Sequence, residues 1–572
     1  MSQRIRARFD SCRSLIAIYL GLGTCLPGPA ALAQVTEIVS ISTTGQQGND
    51  ISGRFAGPDL SDNGRIVVFD SQATTLVPGD TNLKVDVFAR DRLTGVTERV
   101  SVSSSGVQGN DTSTRPVTNG TGELMVFDSS ANNLVPGDTN FLLDVFLHNR
   151  TTHTTERISV SSNEEQGNSG SNTPSISADG RFVCFVSLAS NLVPNDTNNV
   201  EDIFVRDLLN GTTERVNLGD MGQEGNSSTT LASISANGRW VVFNSFANNL
   251  VPDDTNDQFD TFIHDRQTGL TERVNVSSDE EQANGLSSNP SVNDDGRLVV
   301  FWSDATNLVP NDTNDRRDIF VRDRVAGTTE RVSVSSDEEQ ADGSSPEAGV
   351  RGFIASNPQI TPDGRYVAFF SSAKNLVPGD TNSCPPNFQE PGRCPDVFIR
   401  DRVAGTTTRV NVSASGAQAN DRSSDPAITP SGQAVAFFSA AGNLVTGDNN
   451  PCPPIFPVNC ADIFYHEAAA TTAVPAAAQS PGVPLTVTAQ PNPATAGADL
   501  AIAGTDPAAM SIVIYDVAGR VVRTLASGVP GTSTVSWNGA DDRGRRVKAG
   551  VYIGRIEQGD RVAVEKIILL PD

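Results

Sequence analysis

The sequence predicts an all-β chain, a seven-bladed β-propeller followed by a small β-sandwich, and three observations predict it. A loop motif, Leu76-Val-Pro-Gly-Asp-Thr-Asn82, recurs seven times, with later copies centred on Asp138, Asp196, Asp254, Asp312, Asp380 and Asp448. Four short apolar-alternating stretches separated by turn residues surround each copy, the pattern of a four-stranded antiparallel unit. The strand count then closes a ring, because the last unit lacks a fourth strand and a spare one stands at the other end of the chain.

The first five motif copies lie 58 residues apart and the last two steps are 68, lengthened by an insertion at Ser344–Ser356 and by a cysteine-flanked loop. In the third unit strand A is read at Pro174–Ser177, followed by an Asp179-Gly180 turn and strand B at Arg181–Val186. The Asn191–Asn198 loop leads to strand C at Asp202–Arg206, and an Asn210-Gly211 turn leads to strand D at Thr213–Asn217. Strand D follows its own strand C only six times. The seventh is expected from Thr36-Glu-Ile-Val-Ser-Ile-Ser42, which would complete the last blade and pair an otherwise open edge. Phe69 in strand B and Phe88 in strand C repeat in every unit. Such perfect repetition points to packing between adjacent blades, with each ring burying roughly 150–250 Å².

The chain opens with Arg4, Arg6, Arg8 and Arg13, an apolar run from Leu15 to Leu22, and Ala31-Leu32-Ala33. This is the layout of a cleaved export signal over 1–33, and the run is too short to span a bilayer. An oxidising destination, whether secreted, cell-surface or periplasmic, agrees with two cysteine-bracketed Pro-rich loops, Cys384–Cys394 and Cys452–Cys460, read as local disulfides. The expected divisions are signal 1–33, propeller 34–467, an Ala/Thr/Pro-rich linker 468–484 and a sandwich 485–572. The net charge is −25, with a neutral tail and a basic signal, so the portion between them carries −28. Such a surface disfavours nucleic acid and anionic lipid.

The turn Ser177-Ala-Asp-Gly-Arg-Phe-Val183 followed by Asp202-Ile-Phe-Val-Arg-Asp207 resembles the TolB-type propeller repeat of exported bacterial proteins. That resemblance covers roughly Thr36 to Glu467 and implies a protein-binding scaffold. In the tail, Pro491-Asn-Pro493, Met510–Asp516, Gly519-Arg520, Trp537-Asn-Gly539, Asp541-Asp-Arg-Gly544 and Gly550–Arg555 follow one another. Their order resembles the FlgD-like immunoglobulin fold and the related C-terminal domains of type IX secretion. It implies either a sorting role or a passive spacer.

The D-to-A and B-to-C connections of a propeller emerge on one face, and here both are long and polar. That face is the expected binding surface. Its loops carry Gln-x-Asn elements, as at Gln47–Asn49, Gln108–Asn110 and Gln282–Asn284, and an Asp-x-Asn-x-x-x-Asp pattern. Asp80, Asn82 and Asp86, or Asp254, Asn256 and Asp260, present hard oxygen donors at a spacing that suits Ca²⁺. The same residues suit an Asx-turn in which the side chains pin the loop backbone.

No catalytic constellation stands out, and no other cofactor is expected. His148, His264 and His466 replace Arg in strand C, and there is no Gly-x-Ser-x-Gly elbow or Gly-Lys phosphate loop. Ser-Ala-Asp-Gly-Arg resembles the sialidase Asp-box turn, yet Tyr366, a potential nucleophile, stands where Phe182, Trp240 and Leu298 stand in other units and reads as packing. The expected function is a monomeric, non-catalytic scaffold binding a protein or glycan through the long-loop face. A calcium-stabilised adhesive protein and an extracellular polymer hydrolase are the alternatives.

Overall fold

The computed structural model describes residues 34–345, 358–384, 393–448 and 460–468, and in the C-terminal part 486–490, 498–503, 510–516, 521–529, 533–541, 543–558 and 561–570. The expected export segment and nearly all of the expected linker lie outside them. The chain divides into two compact units, Met1–Thr471 and Thr472–Asp572.

Seven four-stranded antiparallel sheets make up the first unit. In blade 3 the strands are Ser171–Ile176, Phe182–Ser187, Asp202–Asp207 and Thr212–Arg215, in that order across the sheet. They are lettered A to D, and the other blades follow the same plan. Strands B and C are continuous buried runs because both of their faces meet a neighbouring blade. Strand D alternates instead, with Thr213 buried between an exposed Thr212 and Glu214.

The seventh sheet runs Ser423–Ile428, Ala434–Ser439, Asp462–Glu467 and then Val35–Ile38. The N-terminal strand is thus the fourth strand of the last blade, with Val35 opposite Glu467 and Ile38 opposite Phe464. Side chains lock this register. Thr36 Oγ1 lies 2.9 Å from His466 Nδ1, and Ser40 Oγ donates to Asp462 Oδ1 at 2.6 Å.

In every blade the strand B and strand C phenylalanines pair directly and stack, with centroids 5.7–6.1 Å apart. Each stacked pair packs onto the preceding blade, as Phe127 and Phe146 do on Val68 and Val87. Phe69 and Phe88 pack on Ala436 and Ile463 of blade 7, so the ring is closed by core as well as by hydrogen bonds. Leu76 of the long loop is buried in the same cluster, which anchors the B-to-C loop to the core. The A-to-B turns need glycine for two reasons: Gly238 has φ +71°, and a Cβ there would come within 2.2 Å of Phe182 of the preceding blade.

The second unit has a three-stranded sheet, Thr486–Gln490, Ala498–Ala503 and Ser533–Trp537. Its four-stranded sheet runs Val521–Val529, Met510–Asp516, Gly550–Gln558 and Arg561–Leu569. Trp537 of one sheet meets Tyr552 of the other edge-on at 5.1 Å, and its indole N–H donates to Ala540 O at 2.9 Å. This is the expected β-sandwich.

Cys384 and Cys394 form a disulfide with Cα atoms 4.9 Å apart. Cys460 is also disulfide-bonded, and its expected partner Cys452 lies outside the described residues. Cys184 is buried as a free thiol.

Candidate binding face and axial cavity

The long-loop face is held together by the Gln-x-Asn elements. Gln108 Nε2 donates to Thr81 Oγ1 of the blade 1 loop at 2.7 Å, while Asn110 Nδ2 donates to Asn132 Oδ1 of the blade 2 loop at 2.7 Å. Each D-to-A loop therefore clamps the B-to-C loops on either side of it. Gln282 acts likewise, donating to Asp254 Oδ1 at 2.8 Å and Asp260 Oδ2 at 3.2 Å.

The Asp-x-Asn-x-x-x-Asp residues meet as the sequence suggests, but around an arginine. Asn82 Oδ1 accepts Lys84 N at 2.9 Å, an Asx-turn. Its Nδ2 donates to Gly109 O at 2.8 Å and to Asp86 Oδ2 at 3.1 Å. The Arg99 guanidinium lies 3.5 Å from Asp80 and 3.6 Å from Asp86. In blade 4 Asn256 repeats this turn, and Arg273 lies 3.4 Å from Asp254 and 3.9 Å from Asp260. These residues do not fit calcium as arranged, since an amide N–H rather than an oxygen faces Asp86 and a cation is already supplied by the chain. The loop motif alone does not reveal the arginine, although an Arg stands at this place in six D strands, five times as Thr-Glu-Arg and once as Thr407-Thr-Arg409. In blade 7 its place falls to Ile38, opposite Phe464 as Arg99 is opposite Phe88. There, burial pushes the Asp448 carboxyl up to about 6.

Histidine in strand C has a structural role. His148, His264 and His466 each hold the strand D threonine, at 2.9 Å from Thr155, Thr271 and Thr36. Arg206 makes the equivalent bond to Thr213 at 3.3 Å. Burial pushes His264 and His466 down to about 4. Tyr366 is half-buried, and its ring fills the space that a Cβ on Gly432 would need, which is the packing role expected of it.

The A strands of all seven blades line an axial cavity of about 300 Å³. This volume suits a small ligand or part of a larger one. Five A strands carry a β-bulge with a left-handed residue that is not glycine: Arg115, Thr173, Leu231, Asn289 and Asp425, with φ from 49° to 55°. Bulges re-aim side chains and gather near functional sites.

The cavity wall does not repeat. Asp59 accepts Thr118 N at 2.8 Å and is pushed up to about 6 by burial. Ser175 and Gln359 accept the equivalent N–H in other blades. Between Gln47 and Pro58 blade 1 has three residues more than blade 2 has between Gln108 and Pro116. Asp70 holds this extra stretch by accepting backbone N–H groups, Ala56 at 3.2 Å among them. Burial pushes Asp70 up to about 7. The second insertion, near Ser344–Ser356, enters at the same point of strand A in blade 6, between Ser345 and Pro358.

One loop position on this face departs from the others. The residue after the motif asparagine is left-handed in blades 1 to 5, with φ from 52° to 56°. Asn199, Asp257 and Asp315 suit that conformation, but Leu83 and Phe141 do not. Leu83 is also 82% exposed and Phe141 73%. Replacing both with the Asn of blade 3 is expected to raise the unfolding free energy by about 1 kcal/mol per site. Urea denaturation of the double variant L83N/F141N measures it.

Residues 489–560 match the FlgD Ig-like domain. The match covers five strands of the sandwich and part of a sixth, and agrees with its fold. No curated protein matches the chain. Among solved structures, an oligogalacturonate lyase in complex with manganese is 12% identical, covering 76% of this chain and 96% of its own, with a TM-score of 0.43. A TolB-assigned protein of Agrobacterium tumefaciens is 16% identical over 53% of this chain and 89% of its own, at a TM-score of 0.32. An acylaminoacyl peptidase of Pyrococcus horikoshii is 10% identical over 80% and 59%, at 0.39. None of these likenesses bears on what this chain binds.

Proposed function

We propose that the chain is an exported, non-catalytic binding scaffold that takes a protein or glycan on the long-loop face. The observation that carries this reading is the loss of repetition there. Seven copies of one unit supply their own controls, and structural positions stay alike from blade to blade. The stacked phenylalanines and the A-to-B glycines do so. On the long-loop face Leu83 and Phe141 are exposed where blades 3 to 5 carry Asn or Asp, and Phe246 is exposed where blades 1, 2, 5 and 6 carry polar residues and blade 3 carries Leu188. The tight-turn face is apolar too, but Leu93, Leu209, Val325 and Val403 occupy one recurring place in their blades.

Catalysis has no carrier in this reading, because the buried histidines are engaged with threonines and the carboxyls Asp59 and Asp70 hold backbone N–H groups. The two disulfide-bonded cysteine sites fit the oxidising destination.

The test uses the full chain on arrays of purified extracellular proteins and glycans. Leu83→Cys and Phe141→Cys, capped with a polyethylene-glycol maleimide, are expected to abolish the binding seen with the parent. The same cap at Leu93→Cys and Val325→Cys on the tight-turn face is expected to leave it. The reverse pattern contradicts the proposal.

A further inference from the structure

The long-loop face carries one sector unlike the rest. Phe246 follows strand B of blade 4 and is 53% exposed. Its ring lies 4.5 Å from that of Phe259, which leads into strand C and is 8% exposed. In blade 5 the same two positions are Asp304 and Arg317. They form a two-pronged pair, Arg317 Nε to Asp304 Oδ1 at 3.0 Å and the terminal nitrogen to Oδ2 at 2.9 Å. The Arg317 guanidinium carbon lies over Trp302, 3.6 Å from the ring centre. Blade 2 has only Ser130 and Leu143 at these positions, and blade 6 has Ser372 and Pro395.

Backbone bonds make the two pairs neighbours. Ser287 N donates to Phe259 O at 2.9 Å, and Asp304 N donates to Leu286 O at 2.9 Å. Phe259 and Asp304 therefore flank the Leu286-Ser287 segment from opposite sides. At the usual strand spacing this sets the Phe259 and Asp304 backbones roughly 10 Å apart, about the length of a disaccharide. Phe246 N in turn donates to Ser228 O at 3.2 Å, at the entrance to the innermost strand of blade 4.

The chemistry of the strip is an exposed aromatic face beside a coplanar donor and acceptor. A pyranose has matching parts, a C–H face to stack on a ring and vicinal hydroxyls that both donate and accept. Asp304 keeps 43% of its side chain exposed, so it remains open to a hydroxyl. The surrounding field is strongly negative, which repels uronates and sulfated sugars. We infer that Phe246, with Phe259, Asp304 and Arg317, forms a subsite for a neutral oligosaccharide on the long-loop face. This rests on the scaffold reading and narrows its ligand to one class.

Titration calorimetry of the full chain with cellohexaose, xylohexaose, mannohexaose, maltohexaose and hexagalacturonate tests it. At least one neutral hexaose is expected to bind and hexagalacturonate not to. Phe246→Ser, which installs the residue of blade 2, is expected to weaken that binding about tenfold or more. The pair D304S/R317L, which installs both blade 2 residues, is expected to weaken it as well, and thermal melts of both variants report whether the fold is kept. Binding that survives Phe246→Ser unchanged, equal binding of hexagalacturonate, or silence from every neutral hexaose overturns the inference. If the hexaoses are silent while a protein on the array binds and is lost on capping Leu83→Cys and Phe141→Cys, this inference falls and the scaffold reading stands.

Discussion

Removing Val35–Ser42 is expected to destabilise the propeller by on the order of 5 kcal/mol. The segment buries Ile38 and Val39 and contributes the whole outer strand of blade 7. It also satisfies two buried groups. His466 loses Thr36 Oγ1, and the fully buried Asp462 loses the hydroxyl of Ser40. Strand Asp462–Glu467 would then present an open edge. Denaturant unfolding should show a lower midpoint, and a synthetic peptide of residues 35–42 added in excess should restore much of the loss. A deletion that melts like the parent contradicts the closure.

Replacing Arg331 with Met is expected to cost about 3–5 kcal/mol near neutral pH, because it strands two buried carboxylates. Arg331 lies 3.1 Å from both Asp312 and Asp318, with side chains 10%, 1% and 0% exposed. Burial already raises the Asp318 carboxyl above its ordinary range, and Asp312 is raised for the same reason. A raised acid is less burdensome when protonated, so its contribution is present at low pH and lost as pH rises through its folded value. Without the arginine both values rise further. The stability gap between parent and variant should therefore be widest at pH 8 and narrow towards pH 5, as guanidinium titrations at the two pH values would show. A gap that widens on acidification would show that the arginine is not what balances the carboxylates.

Much of this architecture is legible in the sequence because the repeat is an averaging device. Phe69 and Phe88 are unremarkable singly, but their recurrence in each unit marks them as core, and the missing seventh D strand points to Thr36–Ser42. The site is less legible, for a geometric reason. Asn82 and Asp86 read as a cluster because they are neighbours in the chain, whereas the cation that joins them, Arg99, comes from another strand. The sequence shows that Phe246 and Asp304 break the pattern, but not that Leu286-Ser287 brings Phe259 and Asp304 side by side. Nor does the repeat tell which asparagine atom faces the carboxylate. Gly109 O decides that, by accepting from the Asn82 amide nitrogen.

The closure is tested most directly by trapping its register. Val35 and Glu467 are opposed across the last sheet and both are exposed. Opposed residues on paired strands lie at separations that a disulfide can bridge. Oxidation of the V35C/E467C variant should give an intramolecular crosslink, found by peptide mapping, that raises the melting temperature. The pair shifted by one residue, V35C/H466C, should stay reduced, since that slip turns the side chains to opposite faces. Crosslinking of the shifted pair instead, or of neither, would contradict the ring described here.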